Sequence, residues 1–330
     1  LGFICSNKFF RASYGENLRK FILENTQITH IIDFAGVKVF EDASIDSAIT
    51  IFKKIRAGGN SKFNFLASNS INLKTQKFIQ IPQSTLSETN FTFLDSSKFE
   101  LKSKIEKVAK PLKDWGVNIN YGVKSGLNEA FIIDSDTRDK ILNNCVGEER
   151  EQIQKLIRPI LRGRDIKRYD YEWAGLWLIN IHNGYGTKPR INIDNFPKLK
   201  LYLDKFEPKL SKRSDKGATP YNLRNCAYLE EFEKEKILCA RMVQSPKFAY
   251  DTNNNIPDNT AYCITGANLK FLLAFLNSTG VYKIFNFFYA GGGLEGEIKI
   301  NRLEILPIPQ ITPQNEKSAN DIINLVDEIG

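Results

Sequence analysis

The chain has 330 residues, 42% of them hydrophobic and 12% aromatic, which is enough for about two globular domains with their own cores. It has no run of 18 apolar residues, so no segment is predicted to span a bilayer. Five cysteines without a Cys-x-x-Cys pair, and only two histidines, argue against a zinc site or a disulfide framework and predict a cytoplasmic protein. The net charge of +8 favours a polyanionic partner.

The first 57 residues alternate between strands and a helix. Three short apolar runs predict β-strands, at residues 1–5, 28–34 and 48–52. The third run is continuous and β-branched, as in a strand that is covered on both faces. Leu18, Phe21 and Ile22 recur at helical spacing and predict a helix at 15–25, with Arg19 on its polar side. This order predicts the C-terminal remnant of a doubly wound α/β sheet whose first strands are absent.

The next segment, residues 58–114, differs in composition. It is rich in Ser, Asn, Lys and Thr and opens with a Gly-Gly pair, which is typical of a connector that carries a few short strands. A helix is predicted at about 97–107 and ends before Pro111. The start of the chain, at Leu1, has neither a methionine nor the basic flank of a signal peptide, so we expect it to lie inside a larger protein.

A second domain is predicted over residues 115–310. Alternating apolar residues at 117–123 and an apolar run at 130–133, joined by Ser125-Gly126-Leu127-Asn128, predict a β-hairpin. Further apolar spacing predicts strands at 176–181 and 247–250 and helices at 148–157, 268–276 and 282–288. A helix at 321–329 within residues 311–330 then closes the chain. These elements predict a mixed α/β domain followed by a C-terminal helix.

Signatures of an independent enzyme are missing. Gly184-Tyr185-Gly186 lies in a polar turn, and Gly291-Gly292-Gly293 lacks the Lys and Ser/Thr of a phosphate loop and predicts a flexible loop. Asp95, Glu100 and Lys102 follow the order of a magnesium nuclease site, but no Pro-Asp precedes them on a strand. We therefore assign no metal site, and a complete small nuclease remains an alternative that rests on those three residues alone.

The densest basic cluster lies between residues 158 and 169. Its five cations against one carboxylate, Asp165, leave a local charge of +4; they are Arg158, Arg162, Arg164, Lys167 and Arg168. Arginine forks suit phosphate oxygens or guanine edges, and Gly163 would let the backbone approach a ligand. The alternative interpretation is a solvated basic turn.

The N-terminal motifs resemble those of a known family. The stretches at 2–9, 15–19 and 31–34 (Gly-Phe-Ile-Cys-Ser-Asn-Lys-Phe, Gly-Glu-Asn-Leu-Arg and Ile-Ile-Asp-Phe) resemble the part of adenine N6-methyltransferases that follows the catalytic motif. Val-Phe-Glu-Asp-Ala at 39–43 resembles a late motif of the family whose aromatic residue stacks on the flipped adenine. The resemblance assigns that role to Phe40; the alternative is a core phenylalanine.

Motifs further along resemble the target-recognition domain of type IIG restriction–modification enzymes. They occur in the order of the family, at 121–131 (Tyr-Gly-Val-Lys-Ser-Gly-Leu-Asn-Glu-Ala-Phe), 160–166, 221–224, 276–278 and 306–309. The resemblance implies a DNA clamp, for which turn positions and basic character suggest six candidates: Lys124, Asn128, Arg162, Arg164, Lys167 and Arg168.

One departure from the family decides what this chain can be expected to do. Neither a cofactor loop nor an Asn/Asp-Pro-Pro-Tyr/Phe catalytic motif occurs in the 330 residues. The resemblance therefore implies a parent enzyme with upstream methyltransferase and nuclease domains, using S-adenosylmethionine for methylation and magnesium for cleavage. In this chain we expect double-stranded DNA recognition and no bound cofactor or metal. The alternative is a stand-alone specificity subunit of a type I-like system, which would carry two recognition domains separated by long helices.

Overall fold

The computed structural model describes residues 1–42, 45–94, 96–290 and 296–329. The chain divides into two compact units, one formed by Leu1–Ala109 and the other by most of the chain from Lys110 onwards. Asp95 and the predicted glycine loop at 291–293 lie outside the described residues. The predicted α/β class is confirmed, and within the described residues two of the three larger sheets combine parallel and antiparallel strands.

The first unit is a five-stranded sheet with two helices. Its elements are β1 (Gly2–Ser6), α1 (Glu16–Asn25), β2 (Gln27–Asp33), β3 (Ser47–Lys53), β4 (Lys62–Ala67), β5 (Ile79–Pro82) and α2 (Ser96–Val108). The strand order is β1-β3-β2-β4-β5, in which only β2 and β4 run parallel. The segment predicted to be a connector, residues 58–114, thus supplies two strands to this sheet, β4 and β5.

Strand β3 has one covered face and one that is covered only in part. Thr50 and Phe52 are buried, whereas Ile51 between them is 38% exposed. The side chains of a strand alternate between the two faces of the sheet, and the aromatic core of this unit, which includes Phe52, lies on one of them. On the other face, Ile49 packs against a second cluster, formed by Ile32, Phe34 and Leu66. The predicted cover on both faces is therefore confirmed at Ile49 and wrong at Ile51.

Helix α1 buries the residue that was predicted to be on its polar side. Arg19 is 1% exposed, while Leu18 and Phe21 are exposed. Its guanidinium donates hydrogen bonds of 2.6–2.8 Å to four backbone carbonyls, those of Phe9, Ala12, Glu88 and Thr89. Because these bonds replace the water that burial removes, an arginine can take the place of an apolar side chain here.

The second unit combines two four-stranded sheets with short helices. Its strands are β6 (Ala109–Pro111), which crosses the division between the units, β7 (Val117–Tyr121), β8 (Ile132–Asp134), β9 (Ile157–Leu161), β10 (Leu176–Ile179), β11 (Lys236–Ala240), β12 (Phe248–Asp251), β13 (Ile256–Pro257), β14 (Ala261–Gly266) and β15 (Pro307–Pro309). Its helices are α3 (Asn128–Phe131), α4 (Ser135–Asn143), α5 (Gly147–Leu156), α6 (Pro197–Asp204), α7 (Lys209–Lys212), α8 (Leu269–Leu276), α9 (Thr279–Ile284), α10 (Ile300–Leu303) and α11 (Glu316–Ile329).

The two sheets have the orders β13-β9-β10-β8 and β12-β11-β14-β7. The predicted hairpin at 117–133 is therefore wrong, because β7 pairs with β14 while β8 pairs with β10. The turn between them instead leads into α3, and Gly126 has the positive φ of 70° that this change of direction requires. Long-range pairing has overridden a local hairpin pattern.

The strongly periodic helices are where the sequence placed them, at α2, α5, α8 and α11. Within the described ranges, no single helix has the length and apolar character to cross a bilayer. Together, α8 and the helical stretch 279–289 have the length and composition of such a segment, but the two are bent by 65° at the break between them.

Candidate nucleic-acid interface

The basic turn after β9 is held by an ion pair between the partly buried Arg162 and the buried Asp165. Arg162 donates to both carboxylate oxygens of Asp165, from Nε at 2.9 Å and from Nη2 at 2.7 Å, and its backbone N–H donates to the same group. Burial alone would raise the pKa of Asp165, but these bonds outweigh it and hold that pKa below its usual value. The fork of Arg162 is thus already occupied within the turn.

Gly163 meets protein rather than a ligand. A Cβ at this position would lie 2.5 Å from the backbone oxygen of Thr260, and the Gly163 N–H donates to the Thr260 hydroxyl at 2.8 Å. A glycine is needed here because the turn packs against the segment before β14. The prediction that Gly163 opens the backbone to a ligand is wrong.

The far side of the same turn is fixed to β12. Tyr169 has a φ of 74°, and its backbone exchanges hydrogen bonds with Phe248 and Tyr250. The Tyr171 hydroxyl accepts from the amides of Asn253 at 2.7 Å and Asn255 at 3.0 Å. With both ends held, the turn presents the side chains between them from a rigid backbone.

Three of the predicted basic residues of this turn are at least partly exposed. Arg164 and Arg168 are exposed, and Lys167 is half-buried, with an ion pair of 3.1 Å to the highly exposed Glu172. An ion pair of that kind is worth little in water, so Lys167 remains available to a stronger anion.

Lys167 and Arg168 open onto a groove that sequence analysis did not predict. Two adjoining cavities of about 550 and 270 Å³ share Ser245, Pro246 and Thr279 as a common wall. We name them together the basic groove; its remaining lining residues are Lys167, Arg168, Gln244, Lys247, Tyr282, Lys283, Asn286 and Phe287.

All charged residues that line the basic groove are cationic. The turn contributes Lys167 and Arg168, the loop between β11 and β12 contributes Lys247, and α9 contributes Lys283. In the described part of the chain, Arg168, Lys247 and Lys283 form no ion pair. Lys247 and Lys283 are isolated cations in the sequence, so no local signal could have joined them to the turn.

Side-chain anchors hold the walls of the basic groove together. Asn277, fully buried between α8 and α9, donates to the Phe248 carbonyl at 2.8 Å and accepts from the Phe248 N–H at 3.1 Å. The Tyr282 hydroxyl donates to the carbonyl of Val243 at 3.0 Å. Asn277 belongs to one of the motifs that carry the family resemblance, and it positions the groove without lining it.

A second groove, of about 360 Å³, contains Lys124. We name it the Tyr121 groove; it is lined by Tyr121, Gly122, Val123, Lys124, Arg224, Asn225, Cys226, Tyr228, Arg241 and Asn259. Lys124 and Arg224 share the carboxylate of Asp215, at 3.9 and 2.9 Å, and Arg241 lies 3.6 Å from Glu297. Its positive charge is therefore largely balanced, unlike that of the basic groove.

The buried Arg213 shapes the Lys124 turn. It donates to the backbone carbonyls of Ser125, Asp215, Pro220 and Asn222, and its guanidinium lies 4.4 Å from the ring centroid of Phe131. Burial lowers its pKa to about 10.

The remaining candidates line neither groove; they are Asn128, Arg162 and Arg164. Asn128 instead accepts a hydrogen bond from Ser125 at the start of α3.

Two protein-family models match separate parts of the chain. Residues 158–308 match the family model of the TaqI-like C-terminal specificity domain, and residues 1–40 match that of the Eco57I restriction-modification methylase. The predicted resemblance to restriction–modification enzymes is confirmed. All residues that line the basic groove lie within the region that matches the specificity domain.

Related proteins match almost the whole chain. It is 25% identical to the type II methyltransferase M.BstVI of Geobacillus stearothermophilus, over 96% of this chain and 59% of the relative. It is 20% identical to M.XhoI of Xanthomonas vasicola, over 86% of this chain and 54% of the relative. The chain thus spans little more than half the length of these curated relatives.

The fold is similar to that of the type IIL restriction-modification enzyme MmeI, with a TM-score of 0.56 and 15% sequence identity. The alignment covers 98% of this chain and 41% of MmeI.

Outside the region that matches the specificity domain, Phe40 lies in the segment after β2 and is 45% exposed. It is therefore not a core phenylalanine, and its stacking on a flipped base remains a prediction.

No group of three His, Cys, Asp or Glu side chains in the described ranges could hold a metal ion. Glu100 and Lys102 lie on α2, where Lys102 pairs with Glu106 at 2.8 Å.

The Arg162–Asp165 pair predicts a pH-dependent contribution to stability. We expect Asp165→Asn to lower the free energy of unfolding by about 1.5–3 kcal/mol at neutral pH, the usual loss for hydrogen bonds to charged groups. Because the pKa of Asp165 is lowered on folding, its contribution is present above the unfolded value of about 3.9 and is lost as pH falls through the folded value. Urea unfolding at neutral and acidic pH measures both effects.

A matched control is Asp194→Asn, which removes an exposed pair with Lys200 at 2.6 Å. Its cost should stay below about 1 kcal/mol. Equal losses for the two variants, or a loss for Asp165→Asn that does not shrink in acid, would contradict a holding role for Asp165.

Proposed function

We propose that the chain recognises a specific sequence in double-stranded DNA through the basic groove, within a restriction–modification methyltransferase. The observation that carries this proposal is the meeting of Lys167, Arg168, Lys247 and Lys283, from three separate segments, in one groove with no acidic lining residue. Cations that converge in this way displace the counterions condensed on phosphates.

Sequence choice requires groups that can distinguish base edges. Gln244 and Asn286 line the basic groove beside the cations, and an amide can contact both N6 and N7 of adenine. Arg168 can place its fork on guanine O6 and N7 or on a phosphate. We assign the lysines to phosphates and the two amides to bases, because a lysine acts on a phosphate as a point charge.

The activity of the whole protein is a further proposal. The relatives named above are type II methyltransferases, and the motifs at 2–43 resemble those of adenine N6-methyltransferases. We propose methyl transfer from S-adenosylmethionine to an adenine amino group, with Phe40 stacking on the extruded base and magnesium-dependent cleavage by an associated nuclease domain. Since the cofactor and catalytic motifs do not occur in this chain, no residue of it is assigned to either group.

A stand-alone specificity subunit is less well supported. The match of residues 1–40 to the Eco57I restriction-modification methylase model supports a methyltransferase portion in the same polypeptide as the region that matches the specificity domain. A cytoplasmic location remains a prediction from cysteine usage.

Selection from a library of randomised DNA duplexes tests sequence recognition. The 330-residue chain should enrich a single motif over successive rounds. The Gln244→Ala/Asn286→Ala variant should bind random duplexes about as tightly as the parent, but each lost base contact should cost about 1–3 kcal/mol on the selected motif. Binding without enrichment of any motif would show that the chain holds DNA without reading its sequence.

A further inference from the structure

We propose that Phe287 inserts between base pairs of the DNA that lies in the basic groove. This inference rests on the proposed function and extends it, because insertion would bend and unwind the duplex rather than only hold it. An apolar side chain that enters a base step in this way works as a wedge.

The first observation is the exposure of one ring in a buried aromatic segment. The stretch Phe285–Tyr289 forms a single π-turn, in which the Ala290 N–H donates to the Phe285 carbonyl at 2.8 Å. Phe285, Phe288 and Tyr289 are buried, whereas Phe287 is 53% exposed. Turns of this type are rare and are frequently found at functional sites. The buried rings anchor the segment, while the π-turn leaves Phe287 on the surface.

The second observation is the rigidity of the support beneath Phe287. Its ring packs edge-on against Phe288, with centroids 4.9 Å apart and an interplanar angle of 85°. The preceding helix α9 is capped by Ser278, whose hydroxyl accepts from the Val281 N–H, and it is tied to Val243 through the Tyr282 hydroxyl. A wedge must resist the cost of unstacking bases, so a ring on a firmly anchored turn suits this role better than one on a free loop.

The third observation is the chemistry around the ring. Lys283 and Asn286 lie beside Phe287 on the wall of the basic groove, and both are exposed. A cation for the phosphates and an amide for base edges flank a ring that can stack on any base. This combination favours a nucleic acid over a protein partner, because the groove offers no acidic residue to complement a basic surface.

The test compares the parent chain, two variants of Phe287 and one control variant on three DNA substrates. The variants are Phe287→Ala, which removes the wedge, and Phe287→Leu, which keeps an apolar side chain able to enter a base step. Affinity is measured for a linear duplex that carries the selected motif and for the matching single strand. Unwinding is measured as the change in linking number when topoisomerase relaxes a closed circular plasmid with tandem copies of the motif in the presence of the chain.

We expect the parent and Phe287→Leu to unwind the plasmid, and Phe287→Ala to bind the duplex roughly ten-fold more weakly without unwinding it. Leu201→Ala, at an exposed site on α6, is the matched control and should behave like the parent. Equal unwinding by Phe287→Ala and the parent would overturn the insertion, as would a loss of affinity confined to the single strand. Duplex binding by the parent without unwinding would overturn insertion alone, whereas no duplex binding would overturn the proposed function as well.

Discussion

Replacing Lys167, Arg168, Lys247 and Lys283 together by alanine should weaken duplex binding by roughly 10³- to 10⁴-fold in about 0.1 M salt. Each phosphate contact contributes about −0.9 to the slope of log affinity against log salt concentration, so the three lysines contribute about −2.7, and Arg168 brings the total to about −3.6 where its guanidinium binds a phosphate. Loss of all four should flatten the measured slope by about that amount. Fluorescence anisotropy with a labelled duplex at several salt concentrations gives both quantities.

A charge-matched control separates local contact from net charge. Lys198, Lys205, Lys209 and Lys212 are exposed cations of α6, α7 and their flanks, and their replacement by alanine removes the same charge from the same unit. Long-range attraction between exposed charges is screened beyond about 8–10 Å at these salt concentrations, so this variant should keep most of its affinity and slope. If both quadruple variants lose affinity equally, the basic groove is not the DNA interface.

Single substitutions then assign the role of each cation. A phosphate contact should weaken binding to the selected and to random duplexes alike and flatten the slope by about one unit. A base contact should cost about 1–3 kcal/mol on the selected duplex and little on random DNA. Arg168→Ala is expected to show either pattern, and Lys247→Ala only the first.

Asp251→Ala should lower the free energy of unfolding by about 3–5 kcal/mol, because it leaves a buried charge without its partner. Lys236 and Asp251 are fully buried, with Nζ and Oδ2 2.6 Å apart. Burial lowers the pKa of Lys236, although Asp251 opposes the change. Asp251 also accepts hydrogen bonds from Asn255, which in turn contacts Tyr171 at the end of the basic turn. Guanidinium unfolding at neutral pH measures the loss.

Two further measurements distinguish a buried charge from a simple loss of packing. Below the ordinary lysine pKa of about 10.4, the unfolded Asp251→Ala chain binds more protons at Lys236 than the folded one, so its deficit should shrink as pH rises towards that value. The double variant Lys236→Met/Asp251→Leu should recover much of the stability. A deficit that is independent of pH and persists in the double variant would contradict this explanation.

Sequence alone predicted the elements whose pattern is local. Helices α8 and α11 and strand β10 show an apolar spacing that few alternative structures could bury, and they form as predicted. The ordered motifs at 121–131, 160–166 and 276–278 likewise identified the relationship to restriction–modification enzymes. The chemistry of the site was less accessible, because the same motifs contain residues that hold the fold together, such as Asn277, and residues that face solvent, such as Lys124.

Only the tertiary structure decided which residues meet. Lys247 and Lys283 are far apart in the chain and join Lys167 and Arg168 because Asn277 and Tyr282 fasten α8 and α9 to the strand and loop beside them. Long-range packing also overturned several predictions that rested on local sequence. It committed Arg162 to Asp165, placed Gly163 against Thr260, and sent β7 and β8 into different sheets. The type and spacing of residues indicate which interactions a side chain can form. The partners that satisfy its charge and hydrogen bonds come from distant segments, and only the complete fold brings those segments together.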